Sequence, residues 1–232
     1  MKPAVLFDLD DTLLDFGWAE AGSLSRCLRS FGLEPTAEIL TRYSDINRRQ
    51  WELLEEGKQT REETLTRRFT LLFAEYGQTI DGAEACERYE NGLAESGHRF
   101  MPGAEALLRT LHGRYALYLV SNGLTRVQNA RLASAGIAPY FDGIFLSEQL
   151  GVNKPDPAFF ERSVGRVPGF DRRRALLVGD SLTSDIRGAR RAGIMSCWYN
   201  ARRRAPRADI VPDYEIESLA ELPPLLERLW AD

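Results

Sequence analysis

Little in this sequence points toward export, a membrane or nucleic acid. Its 232 residues contain three cysteines, Cys27, Cys86 and Cys197. They are odd in number and widely spaced, so no pair suits a metal knuckle, and the pattern favours buried thiols in a reducing compartment. No apolar run approaches the roughly 18 residues a membrane helix needs. The N-terminus enters a strand pattern almost at once, without the segments of a signal peptide, which sets the expectation of a cytoplasmic protein with no membrane partner. A net charge of −4 gives no electrostatic case for nucleic acid. Two short basic runs, Arg172-Arg173-Arg174 and Arg202-Arg203-Arg204, read as solvated loops. Internal repeats and low-complexity segments are absent.

What the chain does have is the composition of a globular protein, 44% hydrophobic and 28% charged, at a length that suits one large domain or a domain carrying an insertion. Its first informative stretch is Val5-Leu6-Phe7-Asp8-Leu9-Asp10-Asp11-Thr12, an apolar run that ends abruptly in carboxylates. The pattern predicts a buried strand with Asp8 and Asp10 at its C-terminal end, the edge where open α/β sheets bind ligands. Residues two apart on a strand project to the same side. Asp8 and Asp10 can therefore serve one substrate if a divalent cation offsets their repulsion.

From about Trp18 to Ser96 the periodicity is helical. Helices are predicted near Ala19 to Phe31, Glu38 to Glu56 and Ala83 to Glu95. Another is opened by the capping-box pattern Thr60-Arg61-Glu62-Glu63, with Leu65, Phe69, Leu72, Phe73 and Tyr76 on one face. The aromatic residues here read as core, except that Trp51 beside Arg48 and Arg49 forms an amphipathic cluster able to face a ligand. After Met101-Pro102-Gly103 helices and strands alternate: a helix to His112, strand Ala116 to Val120, helix Thr125 to Ala135, strand Gly143 to Leu146, a helix introduced by Lys154-Pro155-Asp156-Pro157, strand Ala175 to Gly179, then Asp185 at a helix start. Short strands at Ser196 to Tyr199 and Tyr214 to Ile216 and a helix from Ala220 to Trp230 close the chain. This alternation predicts an α/β fold, a parallel sheet with right-handed crossovers and helices on both faces.

The strand ends and loops supply, in order, Asp8 and Asp10, Ser121 and Asn122, Lys154, and Asp180 with Asp185. Taken singly, Ser121 is a helix cap, Lys154 a surface lysine, Asp180 a turn residue and Asp185 an N-cap. On parallel strands, however, all of them converge on one edge. Two acidic pairs, a hydroxyl and a lysine meeting there are hard to explain as four unrelated caps, because the carboxylates would repel without a cation, and they read together as a functional site.

In these motifs the chain resembles the haloacid-dehalogenase-superfamily phosphatases. Asp8-Leu9-Asp10-Asp11-Thr12 matches the first motif, Ser121 the second, Lys154 the third and Gly179-Asp180-Ser181-Leu182-Thr183-Ser184-Asp185 the fourth. The resemblance implies a Rossmann-like catalytic core at 1–16 and 98–232, with an all-α-helical cap at 17–97 inserted after the first strand. It also implies Asp8 as nucleophile and Asp10 as general acid/base, with magnesium, replaceable by manganese, held by Asp8, the Asp10 backbone carbonyl and Asp180, and supported by Asp185. The residue types suit that chemistry: a carboxylate can attack phosphorus, Ser121 and the Asn122 amide can donate to phosphoryl oxygens, and Lys154 can offset their charge. Asp10 separates the chain from the dehalogenases, which lack that carboxylate. Asp11 and Asp15 read as turn residues. The wording of Asp8 to Phe16, Ser121 to Leu124 and Leu150 to Asp156 is most similar to the pyrimidine 5'-nucleotidases. The expected substrate is thus a small phosphate ester, a nucleoside monophosphate first among them, and the expected assembly a monomer or homodimer. Glycines at the junctions, Gly17 and Gly97, suit hinges for a lid. The rival readings are a phosphosugar phosphatase or phosphomutase of the same superfamily and a phosphoacceptor signalling module. The last is about half this length, carries its acceptor on a later strand and has no large helical insertion.

Overall fold

Alternate residues of the first strand enter two different cores. In the computed structural model, which describes residues 2–231, strand β1 (Ala4–Phe7) sends Val5 and Phe7 to one cluster and Ala4 and Leu6 to the other. A strand with period-two side chains and no polar residue has no alternative to burial on both faces.

The sheet is built on that strand. β2 (Ala116–Ser121), β3 (Gly143–Leu146), β4 (Ala175–Gly179), β5 (Met195–Tyr199) and β6 (Tyr214–Ile216) join it in the order β3-β2-β1-β4-β5-β6. All pairings are parallel. On one face pack α5 (Ala104–Leu111), α6 (Thr125–Ala135) and α10 (Leu222–Leu229), which bury Leu107, Leu111, Leu132 and Leu226. On the other face α8 (Pro157–Arg162) supplies Phe159 and Phe160, and α9 (Arg187–Ala192) supplies Ala189. A one-turn helix, α7 (Ser147–Leu150), follows β3. Because β1 pairs with β2 on one side and β4 on the other, the side on which successive strands are added switches at β1, and such a switch point opens a crevice at the carboxyl ends of the strands.

The chain divides into two compact units, Gly17–Gly97 and the remainder. In the remainder, the segments that leave for the other unit and return from it are hydrogen-bonded together, Asp15 N to the Arg99 carbonyl at 2.8 Å and Met101 N to the Leu13 carbonyl at 2.9 Å. Asp11 takes a left-handed conformation, φ 56°, and its Oδ1 accepts from Phe16 N at 3.0 Å. A short polar side chain that closes a local hydrogen bond tolerates that region better than most.

The helical unit consists of α1 (Phe16–Ser30, all but its first residue), α2 (Ala37–Glu55), α3 (Arg61–Glu75) and α4 (Gly82–Glu95). The capping box forms as its sequence predicts, with Glu63 N donating to Thr60 Oγ1 and Thr60 N to Glu63 Oε2. The buried face of α3 is turned from the predicted one: Thr64 and Arg68 are buried with Phe69, Leu72 and Phe73, whereas Leu65 and Tyr76 are half-buried. The Arg68 guanidinium lies 5.1 Å from the Phe69 ring and 5.0 Å from that of Tyr89, and Nη1 donates to Asn47 Oδ1 at 3.0 Å, so its charge is partnered inside the bundle. No helix among the described residues is long and apolar enough to cross a membrane. The three cysteines are buried and unpaired.

Candidate active site

The carboxyl ends of β1 and β4 sit side by side, Phe7 opposite Val178, with Asp8 N donating to the Val178 carbonyl at 3.0 Å. Asp8 and Asp180 are the next residues on either strand. Asp185 comes from a π-helical turn, Leu182–Ile186, rather than from the start of an ordinary α-helix; α9 begins two residues later. Ser181 N donates to Asp185 Oδ2 at 3.1 Å, folding that carboxylate back onto the strand end. Gly179 is required there, since a Cβ at this position would lie 2.3 Å from Asp185 Oδ2.

Lys154 joins the ends. Its ammonium, 1% exposed, donates to Asp8 Oδ1 at 2.8 Å, Asp185 Oδ1 at 2.6 Å and the Val120 carbonyl at 2.8 Å, which uses all three of its protons. Burial by itself disfavours the charged lysine, but Asp185 and Asp8 outweigh it and hold the ammonium above the usual lysine range. Burial raises the Asp8 carboxyl well above the usual carboxylate range; Lys154 pulls against that rise, while Asp185, Asp10 and Asp180 add to it. Asp180 is pushed up to about 7, chiefly by burial, with Arg204 opposing and Asp11 and Asp185 reinforcing.

Side-chain oxygens of Asp8, Asp180 and Asp185 all lie within 4.8 Å of one another. Three hard oxygen donors at that separation, each with lone pairs to spare, fit a small divalent cation of the magnesium or manganese kind. The Asp10 carboxylate is outside this group. It accepts from Gln128 Nε2 at 2.6 Å and from the buried Arg131 guanidinium, both on α6.

Ser121, at the end of β2, is 1% exposed, and its hydroxyl oxygen accepts from Gly123 N at 3.0 Å and Gln128 Nε2 at 2.9 Å, which leaves its proton to donate elsewhere. The Asn122 side chain does not have that freedom. Its Nδ2 donates to the Lys154 carbonyl at 2.9 Å and Ser184 Oγ at 3.2 Å, and its Oδ1 accepts from Lys154 N at 2.8 Å. This side-chain amide fastens the Lys154 backbone in place.

Sequence reasoning missed Gln128, Arg131 and Arg204. Gln128 and Arg131 share the inward stripe of α6 with Val127 and Leu132. Polar residues at core spacing are the signal that would have exposed them. Arg204, read as solvated, pairs with Asp180 at 2.6 Å, and Arg202 with Asp11 at 3.1 Å. No local pattern announces these pairings, which depend on where β4 and β5 lie in the sheet. In the helical unit, Arg48 pairs with Asp45 at 2.7 Å and Arg49 with Glu52 at 3.1 Å, while half-buried Trp51 has the Arg61 guanidinium 6.0 Å from its ring.

Fold and site together define a parallel α/β protein that gathers three strand-end carboxylates and a buried lysine at one sheet edge. A model of the haloacid dehalogenase-like hydrolases matches residues 2–193, and the chain belongs to that family. It is similar to the putative HAD-hydrolase YfnB of Bacillus subtilis, 40% identical over 94% of this chain and 92% of that one. A magnesium-bound crystal structure of YfnB, described as revealing interdomain movement, superposes with a TM-score of 0.92 at 39% identity, covering 97% of this chain and 98% of that one. The pyrimidine 5'-nucleotidase PynA of Streptococcus pneumoniae is 39% identical over 97% of this chain and 94% of its own. The pyrimidine 5'-nucleotidase YjjG of Escherichia coli is 32% identical over 96% of each.

Proposed function

We propose that this protein is a magnesium-dependent phosphomonoesterase, a cytoplasmic 5'-nucleotidase acting on pyrimidine nucleoside monophosphates. The observation that carries the reading is the division among the carboxylates. Asp8 lies with Asp180 and Asp185 and is held by Lys154, whereas the Asp10 carboxylate stays outside that group on Gln128 and Arg131. A nucleophile must share the charged centre; an acid/base must not be consumed by it.

In this reading an Asp8 oxygen forms a bond to phosphorus as the bond to the ester oxygen breaks, and Asp10 gives that oxygen a proton. Asp10 then takes a proton from water, whose oxygen displaces phosphate from Asp8. Lys154 and the free proton of Ser121 meet the charge on the phosphoryl oxygens. Asp8, Asp180 and the Asp10 carbonyl would hold the ion, with Asp185 in support, and the ion when bound cancels repulsion between the attacking carboxylate and the phosphate. The nucleotide preference is supported by the two pyrimidine 5'-nucleotidases among the relatives, and the compartment by three unpaired thiols.

The test is a panel of nucleoside monophosphates and sugar phosphates assayed with magnesium and with excess chelator, on wild type and Asp8→Asn. Turnover led by pyrimidine nucleotides, lost in chelator and in the variant, is the expected result. Full activity in chelator or in Asp8→Asn would refute the mechanism, and a preference for sugar phosphates would refute the substrate.

A further inference from the structure

Arg204 lies outside every motif that defines the site, yet it grips one of the site's aspartates at two points, one on the side chain and one on the backbone. Its Nη2 donates to Asp180 Oδ2 at 2.6 Å and to the Asp180 backbone carbonyl at 2.9 Å. The same carbonyl accepts from Trp198 Nε1 at 2.9 Å. The loop that carries Arg204 is itself pinned: the buried Asn200 side chain accepts from Arg204 N at 2.7 Å, donates to the Arg204 carbonyl at 3.0 Å and donates to Glu215 Oε1 at 2.8 Å. Asp180 is thus fixed at its main chain and at one carboxylate oxygen.

We propose that Arg204 is a positioning residue of the metal site, holding Oδ2 of Asp180 so that Oδ1 is presented to the divalent ion. The proposal rests on the reading that Asp8, Asp180 and Asp185 hold that ion. Two effects of Arg204 oppose each other. Its positive charge repels a cation, but the guanidinium side chain is 41% exposed, where solvent and salt screen the Coulomb term. Its hydrogen bonds remove the rotation Asp180 would otherwise have to give up on binding, and they act at contact distance, where screening is weakest. Partners that orient a ligating carboxylate typically matter by about 10- to 100-fold in metal affinity. The orienting effect therefore prevails.

Magnesium chloride titrated by calorimetry into the metal-free full chain reads this directly, without turnover. Arg204→Ala is expected to bind magnesium about 10- to 100-fold more weakly than wild type. Arg204→Gln, which can keep one hydrogen bond but carries no charge, should fall between them. Arg203→Ala, whose side chain pairs with Glu217 instead, should match wild type. The magnesium-induced rise in melting temperature gives a second readout for each variant. Arg204→Ala affinity equal to or tighter than wild type overturns the proposal and makes Arg204 a competing counter-ion. A drop of equal size in Arg203→Ala also overturns it. Failure of wild type itself to bind magnesium would instead refute the metal reading on which it rests.

Discussion

Replacing Lys154 by Met removes the ammonium that Asp8 and Asp185 share while keeping a side chain of similar length. Both carboxylates are almost wholly buried, 7% and 1% exposed, so water cannot take the ammonium's place. Breaking a buried ion pair from one side costs about 3–5 kcal/mol, because the remaining charge stays desolvated. For a chain of this size each kcal/mol moves the melting temperature by about 2–4 °C, so the metal-free variant should melt roughly 6–20 °C below wild type. The deficit has a pH signature. Burial already raises the Asp8 carboxyl, with Lys154 opposing, so the variant raises it further. A carboxyl with a raised folded-state pKa contributes stability at low pH that is lost as pH rises through that value. The gap between variant and wild type should therefore be widest near pH 8 and narrow as pH falls into the carboxylate range. Magnesium should recover part of the stability and little of the activity, which should drop for every phosphate ester alike. Thermal denaturation from pH 5 to 8, with and without magnesium, tests this. A variant melting within about 2 °C of wild type at all pH values would show that Lys154 is not the buried counter-charge.

Asp180, pushed up to about 7 from 3.8, gives a second pH expectation. Its contribution to the stability of the metal-free protein is full below about 4 and lost as pH rises through about 7, so magnesium, which needs the ionised form, should raise the melting temperature more at pH 8 than at pH 6; the reverse order would sink this. Gly179→Ala should cost about 1–3 kcal/mol by overpacking, because Asp185 is fixed by Lys154 and Ser181 and cannot swing away from the new methyl. Its magnesium affinity should fall as well, and calorimetry showing wild-type stability and binding would contradict the geometry. Substitutions of Arg48 and Trp51 should shift preference among nucleotides and phosphosugars while sparing a small generic ester, and a uniform loss across a substrate panel would refute their part in specificity.

The strands were legible because burial on both faces writes itself as unbroken apolar runs, and β3, β4 and β6 begin and end where the pattern places them. Asp8, Ser121, Lys154, Asp180 and Asp185 could be brought to one edge from parallel topology alone. Arg68 was illegible because a charged residue on an apolar face is normally a mark of exposure, and its partners lie 18 to 22 residues away on other helices. The side-chain partners of Asn122 were illegible for a related reason: Lys154 and Ser184 come from loops that only the finished sheet brings near.

The hydrogen bonds that tie Asp15 to Arg99 and Leu13 to Met101 close a loop whose contents the core never has to inspect. Closure entropy grows only with the logarithm of length, about 0.6 kcal/mol per doubling, so eighty residues or forty between these anchors weigh almost the same on the strand-end carboxylates. What hangs from this clasp can be exchanged, enlarged or trimmed while the strand-end carboxylates keep their places.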